Sequence, residues 1–187
     1  MKKATRKTKQ TLDILHIGGS IGWLGCGFAQ LTINFVALWA EDNGLRHAAH
    51  EIAHVLDRWP LTAMSVLALV TGVLLGLKTK WGLVQYWWVA VKLALTVLLF
   101  VGVPVVVGGW ILDAVDRTRL GDPLADPVYL TDRAALMASS VTIVAALSVM
   151  LFLSVVKPWK RTPWSRRPAR VADTAPRHRV TYADDYR

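Results

Sequence analysis

Two ionisable side chains stand inside long apolar runs, His16 and Lys92. Burying such a group in lipid costs roughly 2.5–3.5 kcal/mol on insertion scales, so each marks a candidate site. His16 lies about one helical turn, and Lys92 nearly two, into runs that both lead away from basic segments. The pair therefore falls at similar depth. An imidazole and an ammonium so placed can hold the iron and a propionate of a haem, or relay protons. The plain alternative is that Lys92 snorkels to the headgroups while His16 sits at the interface.

A second constellation lies between the first two apolar runs. His50-Glu51-Ile52-Ala53-His54 matches His-Glu-x-x-His, in which two histidines four apart bind Zn²⁺ and the glutamate activates the bound water. His47 adds a third imidazole on the same helical face. A zinc peptidase takes its next ligand from a different segment, and the later outer loop offers only Asp113, Asp116, Asp122, Asp126 and Asp132. The motif leaves three readings: a peptidase, Zn²⁺ or Cu²⁺ binding by His47, His50 and His54, or a solvated helix face.

The element carrying these histidines reads as amphipathic. At 100° per residue Leu45, Ala48, Ala49, Ile52, Val55, Leu56 and Trp59 share one side, and His47, His50, Glu51, His54 and Arg58 the other. The pattern predicts a short helix capped by Asp42 or Asn43, lying at the outer interface and broken by Pro60. Around it stand four apolar runs, Leu12–Ala40, Leu61–Leu77, Tyr86–Leu112 and Ala134–Val156. A hydrocarbon core of ~30 Å needs ~20 helical residues, so each run can cross once. The expected fold is an all-α membrane protein, four transmembrane helices in a bundle plus one short amphipathic interfacial helix in the first outer loop.

Residues 1–11 form a basic N-terminus, 12–156 the transmembrane domain, and 157–187 a basic tail, polar enough to be disordered. The first run is too long for a signal peptide and is expected to be retained. Sixteen Lys and Arg flank one end of the spans and five the other, where nine acids join them. That bias puts both termini in the cytoplasm of a bacterial inner membrane. The net charge of +9 is then topological, and no nucleic-acid partner is implied. Trp39, Trp59 and Trp110 fit an outer aromatic belt, and Trp81, Trp87, Trp88, Trp159 and Trp164 an inner one. One cysteine, Cys26, excludes a disulfide framework. Gly18, Gly22 and Gly25 present a small-residue face on the first span, suited to a homo-oligomer or a partner membrane protein. Gln30 and Asn34, four apart, suit hydrogen bonds to another helix.

Several stretches resemble an uncharacterised bacterial family of predicted integral membrane proteins: Leu45-Arg46-His47-Ala48-Ala49, Trp59-Pro60-Leu61, Leu69-Val70-Thr71-Gly72, and Lys78-Thr79-Lys80-Trp81-Gly82-Leu83 continuing to Tyr86-Trp87-Trp88-Val89 and Lys92-Leu93. Leu15-His16-Ile17, Gly22-Trp23-Leu24-Gly25 and Lys157-Pro158 fit as well. More distantly, a His in the first helix with a Lys in the third resembles the copper-resistance D-like proteins and the HemJ-type protoporphyrinogen oxidases. That resemblance implies His16 as a haem ligand and Lys92 as its support. Three functions follow as expectations: a structural or accessory protein associating through its glycines, a haem-b or porphyrin-handling protein using His16 and Lys92, and an outward-facing metal binder. The sequence gives no firm warrant for an enzyme.

Overall fold

In lipid every backbone N–H and C=O must be satisfied within its own segment. The chain meets that demand with four long helical rods. In the computed structural model, which describes residues 5–79, 82–119 and 121–163, these are α1 (Arg6–Trp39), α2 (Asn43–Leu56) with α3 (Thr62–Lys78), α4 (Trp87–Gly102) with α5 (Gly108–Arg119), and α6 (Pro127–Val156). A π-helical turn, Asp57–Leu61, joins α2 to α3, and another, Val103–Val107, joins α4 to α5. The rods run for 34, 36, 33 and 30 residues, each long and apolar enough to cross a membrane. Among the described residues the sole β-type pairing is an isolated bridge between Tyr86 and Arg161. This is the all-helical fold that the four apolar runs predict. Lys2, Lys3, Lys80, Trp81, Trp164 and the tail beyond Pro163 lie outside the described residues.

The helix expected in the first outer loop is α2, and Asp42 caps it by accepting the Leu45 N–H at 2.8 Å. Its setting differs from the expectation in two respects. Pro60 does not break the rod; the π-helical turn absorbs the missing donor and the helix continues. Nor does α2 float apart from the bundle: the α2–α3 rod folds back along α1 as an antiparallel hairpin. Arg46 donates to the Ala40 carbonyl, and further along the pair Gly22 faces Met64 and Gly19 faces Ala68. On this hairpin the buried stripe of α2 falls between the two faces read from the sequence, taking in His50 of the polar side and Ala49 of the apolar one while Arg58 stays exposed. Arg46, Ala49, His50 and Ala53 are buried, while Leu45, Ile52 and Val55 are exposed. The neighbouring outward residues of α1, Phe28, Phe35, Val36 and Trp39, are equally apolar. Trp59 sits roughly 18 Å along the hairpin from Trp39, at about 1.5 Å per residue, so the two do not mark one boundary.

Small residues set how closely the rods approach. A Cβ on Gly19 would lie 3.1 Å from the Ala68 nitrogen, and one on Gly22 would lie 2.6 Å from the Met64 sulfur. Gly27 meets Val144 and Leu147 of α6, whereas Gly18 and Gly25 face open space. The glycines on α1 thus serve two directions, inward at Gly19, Gly22 and Gly27 and outward at Gly18 and Gly25. Trp23 packs with Ala68, Leu147 and Met150 at the bundle centre, and Ile111, Ala114, Tyr129 and Leu136 form a second core. Asn34 crosses to α6, donating to Ser140 Oγ and, at 3.4 Å, to the Leu136 carbonyl.

The two ends of the bundle are closed differently. At the end where α1 begins and α6 finishes, Thr162 ties the chain to the α3–α4 connection, its N–H 2.9 Å from the Gln85 carbonyl and its hydroxyl 2.7 Å from that of Val84. There α6 stops at Lys157, whose φ of 49° is left-handed, just before Pro158. At the opposite end Asp126 caps α6 by accepting the Val128 N–H at 2.9 Å and pairs with Arg117. The Arg117 guanidinium holds the Asp126 carboxyl below the usual carboxylate range.

Candidate functional site

His16 and Lys92 arrive from helices α1 and α4 and line one cavity of about 490 Å³, bounded also by α3 and α6. The matched depth inferred from the sequence therefore corresponds to a shared space. His16 Nδ1 lies 3.0 Å from the Ala68 carbonyl and 3.1 Å from Thr71 Oγ1. A carbonyl oxygen can only accept, so Nδ1 carries a proton, and Nε2 has no protein hydrogen-bond partner among the described residues. Thr71 is itself oriented by the Leu67 carbonyl. The imidazole lies against Gly72, where a Cβ would come within 3.0 Å of Cε1. Lys92 Nζ donates to Ser154 Oγ, which itself donates to the Met150 carbonyl at 2.8 Å. The mouth of the cavity carries further charge: Lys9, paired with Asp13 at 2.7 Å, and Lys157.

The histidines of α2 do not converge. His50 is 1% exposed, with Nε2 3.1 Å from the Tyr129 hydroxyl and the two rings edge-to-face. His47 turns to α5, where its Nδ1 lies 2.9 Å from Thr118 Oγ1, and its Nε2 stands 3.7 Å from Glu51. Glu51 is engaged by Arg119. Among the described residues no group of three or more His, Cys, Asp or Glu side chains is placed to hold a metal ion. What His47 and His50 do here is tie α2 to α5 and α6.

That tie is part of a polar layer that sequence reasoning missed. Arg46, 3% exposed, bonds the Ala40 carbonyl and Asn43, and Asn43 in turn donates to the Thr118 carbonyl at 2.9 Å. Arg133 lies 5.8 Å from the Tyr129 ring centroid. The signal for Tyr129 was available only as a lone tyrosine near the start of the fourth run, which nothing in its spacing distinguishes. Gln30 was read as a partner for another helix. It is 8% exposed, yet neither its amide oxygen nor its nitrogen has a hydrogen-bond partner among the described residues.

Four membrane-crossing rods enclosing inward-facing polar groups define an α-helical, multi-pass integral membrane protein. The chain belongs to the family described as predicted integral membrane protein (DUF2269), which it matches over residues 10–158. This bears out the resemblance seen in the signature between the second and third spans; it does not extend to the copper-resistance D-like or HemJ-type proteins. No curated protein and no solved structure matches the chain.

The buried His50–Tyr129 contact makes a stability prediction. Tyr129→Phe removes the partner of Nε2 while Nδ1 already lacks one, so an entire imidazole is left unsatisfied. Thermal unfolding in detergent should show a loss of about 1–3 kcal/mol. An unchanged midpoint would mean that the ring is solvated and the layer contributes nothing.

Proposed function

We propose that this is a bacterial inner-membrane protein, both termini cytoplasmic, whose His16–Lys92 cavity binds a planar carboxylated amphiphile, with haem b as the specific candidate. The observation that carries it is the orientation of His16. Its Nδ1–H is held by the Ala68 carbonyl, so Nε2 is the nitrogen left available beside the cavity. A backbone carbonyl fixing one ring nitrogen is the arrangement that prepares the other as a metal ligand. Gly72 supports the fit by leaving room at the ring. Lys92, propped by Ser154, would take a propionate. Bound haem would supply one-electron or porphyrin chemistry. The chain's own contribution is to hold, orient and charge-match the group. The cytoplasmic orientation rests on the distribution of Lys and Arg, sixteen against five.

The absorption spectrum of the purified protein tests this, before and after addition of haemin. A Soret band is expected that is lost in His16→Ala, with haem affinity falling about 10- to 100-fold in Lys92→Ala. A colourless protein that takes up no added haemin would refute the assignment.

A second reading has one observation of its own: Gly18 and Gly25 are exposed on α1 with nothing near them. Close approach of a second copy or a partner helix at that face would make this a structural or accessory protein. Gly18→Leu should then dissociate the complex in mild detergent while leaving the monomer folded. Unchanged mass would remove the idea.

A further inference from the structure

A second cavity lies away from His16, where the two π-helical turns face each other. It has a volume of about 220 Å³ and is lined from one side by Asp57, Leu61, Thr62 and Ser65, and from another by Leu99, Phe100, Val103, Pro104 and Val107. Trp23, Gly27 and Gln30 of α1 and Ser140 and Ile143 of α6 complete it. All four rods contribute, so both proline-centred turns re-aim their helices at one space.

Two polar groups in this mostly apolar chamber have acceptor capacity to spare. The Asp57 carboxylate makes no direct ion pair among the described residues, the charges acting on it being those of His54 and Arg58. The Gln30 amide, more than nine-tenths buried, has no hydrogen bond at either polar atom. The hydroxyls of Thr62, Ser65 and Ser140, by contrast, each give their proton to a backbone carbonyl and keep only acceptor capacity, which at Ser140 Asn34 already uses. A half-buried carboxylate beside a buried, unsatisfied amide is costly in an apolar setting unless something pairs with them. Water needs two to four polar partners per molecule, which these walls do not supply over such a volume. A bare inorganic cation seeks about six oxygens, and only two side chains here have their full capacity free. An ammonium needs only a few acceptors, and its carbon skeleton suits the leucine, valine, phenylalanine and tryptophan walls.

We infer that the chamber between the two π-helical turns binds a small lipophilic amine, its ammonium held by the Asp57 carboxylate and the Gln30 amide oxygen. The site is separate from the His16–Lys92 cavity and stands whether or not that cavity binds haem.

Equilibrium dialysis of the full chain in detergent, with 2-phenylethylamine as probe and 2-phenylethanol as its uncharged counterpart, decides the matter. Saturable amine binding is expected, at least about tenfold tighter than the alcohol, since a hydrogen-bonded charge contributes that much discrimination. Asp57→Asn should abolish the preference, and Gln30→Leu should weaken amine binding. Absence of saturable amine binding, or equal binding of amine and alcohol to the unaltered protein, would overturn the inference. So would an amine preference that persists in Asp57→Asn. If Asp57→Asn does not fold, the amine–alcohol comparison and Gln30→Leu still decide it.

Discussion

The interaction on which the structure depends is the exclusion of polar groups from a lipid-facing surface. Each rod must satisfy its backbone internally and turn its polar side chains toward its neighbours. Long outward stretches are apolar, from Ile14, Ile17 and Ile21 on α1 to Val149, Phe152 and Val155 on α6, whereas Arg58 of the α2–α3 rod and Asp113, Asp116 and Arg119 of α5 are exposed. On α2, Arg46 and His50 are directed to the interior, while Leu45, Ile52 and Val55 face outward. The bundle interior is therefore where chemistry resides: the His16–Lys92 cavity at one level, the Asp57–Gln30 chamber at another, and the Arg46–His50–Tyr129 layer beyond it.

The prolines have a related role. A helix-interior proline removes one hydrogen bond and pushes back the preceding turn. In water Pro60 would be a reasonable end to a helix. Here α1 lies alongside, and a π-helical turn costs less than exposing a broken backbone to lipid. Pro104 is accommodated in the same manner, and the two turns come to face one chamber. The widened turns place Asp57, Leu61, Val103 and Val107 at its wall, where a regular helix would present a different set.

Much of this was legible in the sequence. Unbroken apolar runs located the four rods, Asp42 marked the start of α2, and matched depths brought His16 and Lys92 together before any coordinates. Asn34 was recognisable as an interhelical donor. The orientation of α2 was not legible, because an amphipathic pattern states that two faces differ and leaves open which one meets the solvent. Deciding that requires knowing that the second half of α1 runs beside it. The same gap hid the second chamber. An apolar run beginning at Leu61 leaves Asp57 in the preceding connection, and Gln30 reads as able to bond another helix because no sequence rule reveals a missing partner. The hydrogen bond from His16 to Ala68 spans 52 positions and has no local signature.

The most direct test of the continuous α2–α3 rod is site-directed spin labelling from position 45 to 70 in lipid bilayers, with oxygen as the lipid-soluble relaxing agent. Labels at Leu45, Ile52, Val55 and Trp59 should be strongly relaxed and those at Ala49 and Ala53 protected, with one helical period carried through Pro60 to Val66 and Val70. Protection at Ile52 and Val55, with relaxation by a water-soluble agent at His50 and a break in the period at Pro60, would contradict it.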